Sequence, residues 1–305
     1  MNDRDAREGR PPTNRAALAL VLSSILWGTT GTAASLLPAD VSPLAVGSAT
    51  MGVGGVLLFI ISMRPAISAL QDPTARRWVL VGAAGVVVYP LAFYGAMHLA
   101  GVAIGNVVAL GSGPAFAAFF EWVWERRRPG RVWIACTTTA IVGIGLLALG
   151  GSARGDRPEA NVVSGVILGL VAGIAFALYT YASSRAITLG LPSRGVMGGM
   201  FGLGAIGLLP VLLVTGAPLL QGTLSLGISA YLTLGPMLIA YLLFGIALGA
   251  LRSSAATTIA LIEPLIATVL AVVVVGERLA AVGWVGLALI LVGVTALSTA
   301  RYPHN

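Results

Sequence analysis

The chain has 305 residues, 57% of them hydrophobic and 10% charged, with a net charge of +7 and a mean hydropathy of +0.93. A soluble domain carries about 25% charged residues, so this is a polytopic membrane protein with no room for a soluble catalytic or nucleic-acid-binding domain. The positive charge belongs to membrane topology, and no nucleic-acid partner is expected.

Residues 1–15, MNDRDAREGRPPTNR, are polar and rich in arginine and acids, and are expected to be disordered. Ten apolar segments follow, at approximately 16–37, 43–63, 78–97, 101–124, 132–150, 162–184, 195–215, 224–250, 254–275 and 280–300. Each is close to the length of about 20 residues that spans a hydrocarbon core. A cleaved signal peptide over 1–37, suggested by the small residues Ala33, Ala34 and Ser35, is rejected because the apolar run is too long and has an internal partner.

That partner lies about 150 residues on. Tyr94 pairs with Phe244, Gly95 with Gly245, Ala100 with Ala250 and Pro114 with Pro264, all at an offset of 150. Val142, Gly143 and Leu147 pair likewise with Val292, Gly293 and Leu297, and LWGTTGTAAS (26–35) lies over AFALYTYASS (175–184) at offset 149. The expected organisation is a first five-helix repeat at 16–150, a linker at 151–161, a second repeat at 162–300 and a tail at 301–305. Five is odd, so the second repeat enters the membrane upside down, and the halves are related by a pseudo-two-fold axis in the membrane plane. All 18 basic residues are arginine; with the N-terminus inside, fifteen fall in cytoplasmic segments and only Arg154, Arg157 and Arg278 outside. This asymmetry places both termini in the cytoplasm and the 151–161 linker outside. The fold class expected is therefore all-α, with ten transmembrane helices in two inverted repeats and the lipid bilayer as a constant partner.

In the first segment Trp27 sits mid-helix, whereas Trp78, Trp122, Trp124, Trp133 and Trp284 mark segment ends as an interfacial belt does. Trp27 is thus either core packing or cavity lining. The third segment carries Tyr89, Phe93, Tyr94 and His98 on one broad face, with Pro90 beside them. Tyr179 in the sixth segment and Tyr241 in the eighth add hydroxyls that need a partner or water. Such stripes are commonly packing, and the hydroxyls are what favour a binding surface. His98 has two readings, a proton shuttle or an interfacial hydrogen bond. Asn106 and Ser112 bring polar groups close to Gly111, Gly113 and Pro114, where the fourth segment is weakened. Glu121 and Glu125 at its end read as charges snorkelling to the headgroups.

Pro114 and Pro264 kink or break equivalent helices, and Pro90 and Pro236 are the other intramembrane prolines, so these four are the candidate hinges. Glu263 precedes Pro264 in ALIEPLIATVLAVVVVGERL (260–279). Nine residues into its segment, it stands about 14 Å deep, near the midplane. A carboxylate there costs roughly 3 kcal/mol. It is either a structural carboxylate holding the bundle or a group on the transport path, where protons are the candidate coupling ion. Gly101/Gly105, Gly169/Gly173, Gly198/Gly202 and Gly245/Gly249 mark close helix packing.

Enzyme signatures are weak. Cys136 is the only cysteine and His98 and His304 the only histidines, so no metal centre or cofactor is expected. Gly202-Leu-Gly-Ala-Ile-Gly207 matches a dinucleotide fingerprint in letters only, because it lies inside an apolar segment rather than after a strand. A membrane-embedded enzyme would need a second reactive group near Glu263, and a non-transporting scaffold has no use for polar groups at helix breaks; these remain the alternative readings.

Trp27-Gly28, the ALIEP step at 260–264, GERL at 276–279 and LVGV at 291–294 together resemble the EamA-type exporters of the drug/metabolite transporter superfamily, over residues 16–300. The resemblance implies a multi-pass protein of the bacterial inner membrane, monomer or homodimer, that exports small metabolites by alternating access. The aromatic third and sixth segments resemble the type that exports aromatic amino acids and paraquat, which implies neutral amino acids, their analogues or cationic drugs as substrate. It further implies substrate contacts from helices one, three, four, six, eight and nine, with Trp27, Tyr89, Phe93, Tyr94, His98, Asn106, Tyr179, Tyr241 and Glu263 as site residues and the fifth and tenth helices peripheral. Two positions depart from the family pattern. Gly113 replaces an acid before Pro114, and Phe176-Ala177 stands where many members carry Trp-Ala.

Overall fold

The computed structural model describes residues 13–126, 131–150, 159–248 and 262–299, which are helical throughout apart from short turns and include no strand. The helices are α1 (Arg15–Ser35), α2 (Pro43–Ile61), α3 (Pro73–Ala100), α4 (Val102–Glu125), α5 (Arg131–Gly150), α6 (Glu159–Thr188), α7 (Ser193–Thr215), α8 (Thr223–Ala247), α9 (Ile262–Val275) and α10 (Ala281–Thr299). Among the described residues seven, α1–α4 and α6–α8, are long and apolar enough to cross a membrane. Shorter apolar stretches lie in the other three, at Ile134–Gly143, Ile262–Val275 and Ala281–Gly293. A further helix, Met63–Gln71, joins α2 to α3.

The helix boundaries carry the repeat more sharply than the residue identities do. α2 and α7 begin at Pro43 and Ser193, α3 and α8 at Pro73 and Thr223, α5 and α10 at Arg131 and Ala281, each pair 150 positions apart. α4 and α9 both end in a left-handed residue, Arg126 (φ 55°) and Gly276 (φ 75°), at the same offset.

Local chemistry explains several of these boundaries. Ser42 caps α2 by accepting from the Ala45 amide at 3.2 Å, and Pro43 occupies the first turn, where no amide hydrogen is needed. Asp72 caps α3 by accepting from the amides of Thr74 (2.8 Å) and Ala75 (3.1 Å). α3 and α4 are separated by Gly101 alone, whose φ of 98° is open to glycine at no steric cost.

α3 and α6 form the most extensive helix pair, with α4 closing against α6. The seams of α6 with the end of α3 and with α4 are made by glycine. A Cβ at Gly165 would lie 2.6 Å from that of Ala100, one at Gly169 2.9 Å from Val108 Cγ1, and one at Gly173 2.9 Å from the Ala109 carbonyl. Without a hydrophobic drive between helices in lipid, this close backbone approach supplies the packing. α5 and α10 pack mainly on each other, at the periphery of the bundle. Outward-facing apolar side chains are bare, as Leu213 at 85% and Val214 at 84% exposure show, which suits a lipid solvent. Trp78, Trp124 and Tyr181 cluster at one end of the bundle, with Arg77 and Arg185 stacked over Trp78 at 5.3 and 5.7 Å. Such a cluster suits the interfacial position expected for Trp78 and Trp124.

Candidate functional site

The site is built outward from Trp27-Gly28. A Cβ at Gly28 would lie 2.8 Å from Ile266 and 3.1 Å from the Glu263 carbonyl, so the glycine lets α1 and α9 cross in contact. Trp27, one residue earlier, then points away from that crossing into a cavity of about 510 Å³. Its indole Nε1 donates to the Pro236 carbonyl at 2.9 Å, and its ring meets Tyr241 and Phe244 edge-on at 5.2 and 5.3 Å. Pro236 lies in a π-helical stretch, Thr233–Ile239, where the proline has no amide hydrogen to continue the regular ladder.

The opposite wall comes from α3 and α6. Tyr89 stacks on Phe93 at 5.2 Å and meets Tyr179 edge-on at 5.7 Å, while Phe176 fills the corner between Tyr89 and Tyr179. The Tyr179 and Tyr241 hydroxyls are 2.9 Å apart and hydrogen-bond across the cavity. Eight aromatic rings line the space: Trp27, Tyr89, Phe93, Tyr94, Phe176, Tyr179, Tyr241 and Phe244.

Glu263 is the only acid among the described lining residues, and no lysine, arginine or histidine accompanies it there. It is 8% exposed, with its residual surface on the cavity. At the equivalent place in the first half, Gly113 lines the same cavity, and a Cβ there would lie 2.8 Å from Phe176 Cδ1. The ring of Phe176 thus occupies the room that a side chain at 113 would need. A cationic group on a small molecule finds one carboxylate and several π-faces here, in a volume typical of small-molecule sites.

Of the residues singled out from sequence, Trp27, Tyr89, Phe93, Tyr94, Tyr179, Tyr241 and Glu263 come together on this cavity. His98 does not; it is exposed and lines a second, smaller cavity of about 380 Å³. Asn106 is fully buried and lines neither. Pro90 and Pro236 line the larger cavity, Pro90 inside an unbroken α3. Backbone helix runs through position 114, and Pro264 lies in the first turn of the described part of α9. The stretch leading into Glu263, residues 249–261, lies outside the described residues, as do 1–12, 127–130, 151–158 and 300–305. Helices α1, α3, α4, α6, α8 and α9 all contribute, and no described residue of α5 or α10 does.

The lining also includes Thr50 and Met51 of α2 and Ser193 and Met197 of α7, which sequence reading missed. Nothing in an ordinary apolar helix marks such positions. Phe176 had a signal, since it falls opposite Trp27 at offset 149, and the two rings do share the cavity. Among the described residues no three His, Cys, Asp or Glu side chains are placed to hold a metal.

The Bacillus subtilis (strain 168) protein named Uncharacterized transporter YwfM is 33% identical over 292 residues, covering 94% of this chain and 95% of its own. An Uncharacterized transporter of Clostridium kluyveri (strain ATCC 8527 / DSM 555 / NBRC 12016 / NCIMB 10680 / K1) is 31% identical over 140 residues, 42% of each chain. A solved crystal structure shares the fold at a TM-score of 0.62 and 23% identity, covering 93% of this chain and 96% of that one. The EamA-like transporter family model matches twice, over residues 14–149 and 163–299, which divides the chain where the helix boundaries divide it, and the protein is a multi-pass membrane protein that belongs to this family.

Proposed function

We propose that the protein is a secondary transporter of the bacterial inner membrane that exports small amines with an aromatic or apolar body. The observation that carries this is the composition of the larger cavity: eight aromatic rings and one carboxylate, with no basic side chain among the described lining residues. Aromatic amino acids, their analogues and cationic drugs all present the required ammonium or quaternary nitrogen. A zwitterion's own carboxylate would have only hydroxyls such as those of Thr30, Thr50 and Ser183 to meet it. Monocationic amines are therefore favoured over the parent amino acids. The cavity reaches Ser184, Thr188 and Ser193, beside Arg185 and Arg194. The fifteen-to-three arginine asymmetry supports a cytoplasmic assignment for that end, the side from which an exporter loads. Alternating access follows from the two inverted halves, with Glu263 as the group that exchanges substrate for proton.

The test is counterflow in proteoliposomes with a panel of radiolabelled aromatic amines, their parent amino acids and quaternary cations. Saturable uptake of amines, with amino acids weaker and anions inert, is the expected result. Preferential uptake of anions or sugars overturns the proposal.

A further inference from the structure

The two cavities lie end to end. The larger reaches the α6–α7 turn; the smaller lies at the opposite end, where Ser35, His98 and Glu277 line it, and Tyr94 borders both. What separates them is a contact of α1, α3 and α4. A Cβ on Gly31 would lie 3.6 Å from Val102 Cβ and 2.7 Å from Met97 Sδ. Just inside that contact is Asn106, 0% exposed, with neither its amide nitrogen nor its oxygen hydrogen-bonded. Val102, Asn106, Leu110 and Gly113 follow one another at helical spacing on α4. The first lines the smaller cavity and the last two the larger, so Asn106 lies on the line between them. An orphaned amide in a dry contact is costly, and is relieved once water or a substrate reaches it.

The contact is fastened by Glu277, which follows the left-handed Gly276 that ends α9. Its Oε1 accepts from the Val102 amide at 2.6 Å and its Oε2 from the Ala103 amide at 3.0 Å. These are first-turn amides of α4, with no carbonyl of their own helix to bond and with the positive end of its dipole behind them. A carboxylate of the second half thus bolts down a helix of the first. At the same offset in the first half, left-handed Arg126 is followed in sequence by Arg127, so the repeat does not supply a second carboxylate at that position.

We infer that Glu277 is the latch of an outer gate. Its release from the start of α4 parts Gly31 from Val102 and joins the two cavities through a passage lined by Asn106. The outward direction of this gate rests on the transporter reading above; the gate itself does not.

In a Cys136→Ala background, Asn106→Cys is exposed in intact cells to a membrane-impermeant maleimide. Labelling should be slow with Glu277 present, at least ten-fold faster in Glu277→Ala, and intermediate in Glu277→Gln, which keeps one acceptor oxygen. Equal rates in all three overturn the latch. A second test leaves Glu277 in place: Gly31→Cys with Val102→Cys, whose Cβ separation suits a disulfide. Oxidation should cut flux of a transported amine at least ten-fold and reductant should restore it, whereas a cross-linked protein with unchanged flux overturns the gate. Failure of every panel compound to move would sink the transport reading, while the labelling rates still decide for or against the latch.

Discussion

Three pairs of equivalent positions in the two halves line one cavity with different side chains. Trp27 in the first half answers to Phe176 in the second, Tyr94 to Phe244, and Gly113 to Glu263. The backbone repeats; the chemistry does not. At the third pair the reason is steric, because Phe176 stands where a side chain at 113 would go, and a site that could hold two facing acids holds one. The cavity therefore has four aromatic rings from each half but a carboxylate only from the second, among its described lining residues.

The largest effect should come from removing that carboxylate. Glu263→Gln keeps shape and hydrogen bonding but loses charge and titration, and should weaken amine binding roughly 100-fold, the scale of truncating a buried charge pair. Accumulation driven by a proton gradient should vanish while downhill exchange survives at saturating amine. Normal gradient-driven accumulation by this variant would leave Glu263 a structural carboxylate.

Filling the empty partner position comes next. Gly113→Ala should cost about 1–3 kcal/mol of stability by overpacking against Phe176, read as a fall in melting temperature in detergent, and Phe176→Ala in the same chain should recover most of it. Adding Gly113→Glu and Glu263→Gln to Phe176→Ala then moves the carboxylate across the cavity. Amine binding by that triple variant would show that the number of charges matters more than the half that carries them. A smaller loss is expected for Tyr241→Phe, which removes the hydrogen bond to Tyr179. It should weaken amine binding about five-fold, corresponding to about 1 kcal/mol for one hydrogen bond.

The last comparison lies outside the apolar spans. Asp72 caps α3, while Gly222, its repeat partner, brings no side chain to the start of α8. Asp72→Ala should lower the melting temperature slightly, and Gly222→Asp should raise it. The Thr74 hydroxyl, then the amides of Ala75 and Thr74, hold the Asp72 carboxyl below the usual aspartate range. Its contribution is complete above that range and is lost as pH falls through the lowered value. The difference between wild type and Asp72→Ala should therefore close in acid.

Much of the site was legible in the chain because membrane interiors penalise whatever does not belong there. A carboxylate at mid-depth, a tryptophan far from the headgroups and tyrosines in hydrocarbon all need a reason, and Glu263, Trp27, Tyr89, Tyr179 and Tyr241 share one. Thr50, Met51 and Met197 cost nothing in an apolar helix and left no trace. Asn106 drew notice for the same reason as Glu263, yet it is packed between the cavities, a distinction that spacing along one helix cannot make.

By itself the sequence determined the membrane class, the division into two repeats and the family, because length, hydropathy and a 150-residue self-match are properties of the chain alone. Only the tertiary structure decided which faces meet. It brought Phe176 over Gly113 and left one acid in the cavity, separated His98 from the aromatic wall, and set Glu277 on the amides that open α4. Helix rotation and crossing are fixed by close packing between partners far apart in sequence, and periodicity within one helix does not contain that information.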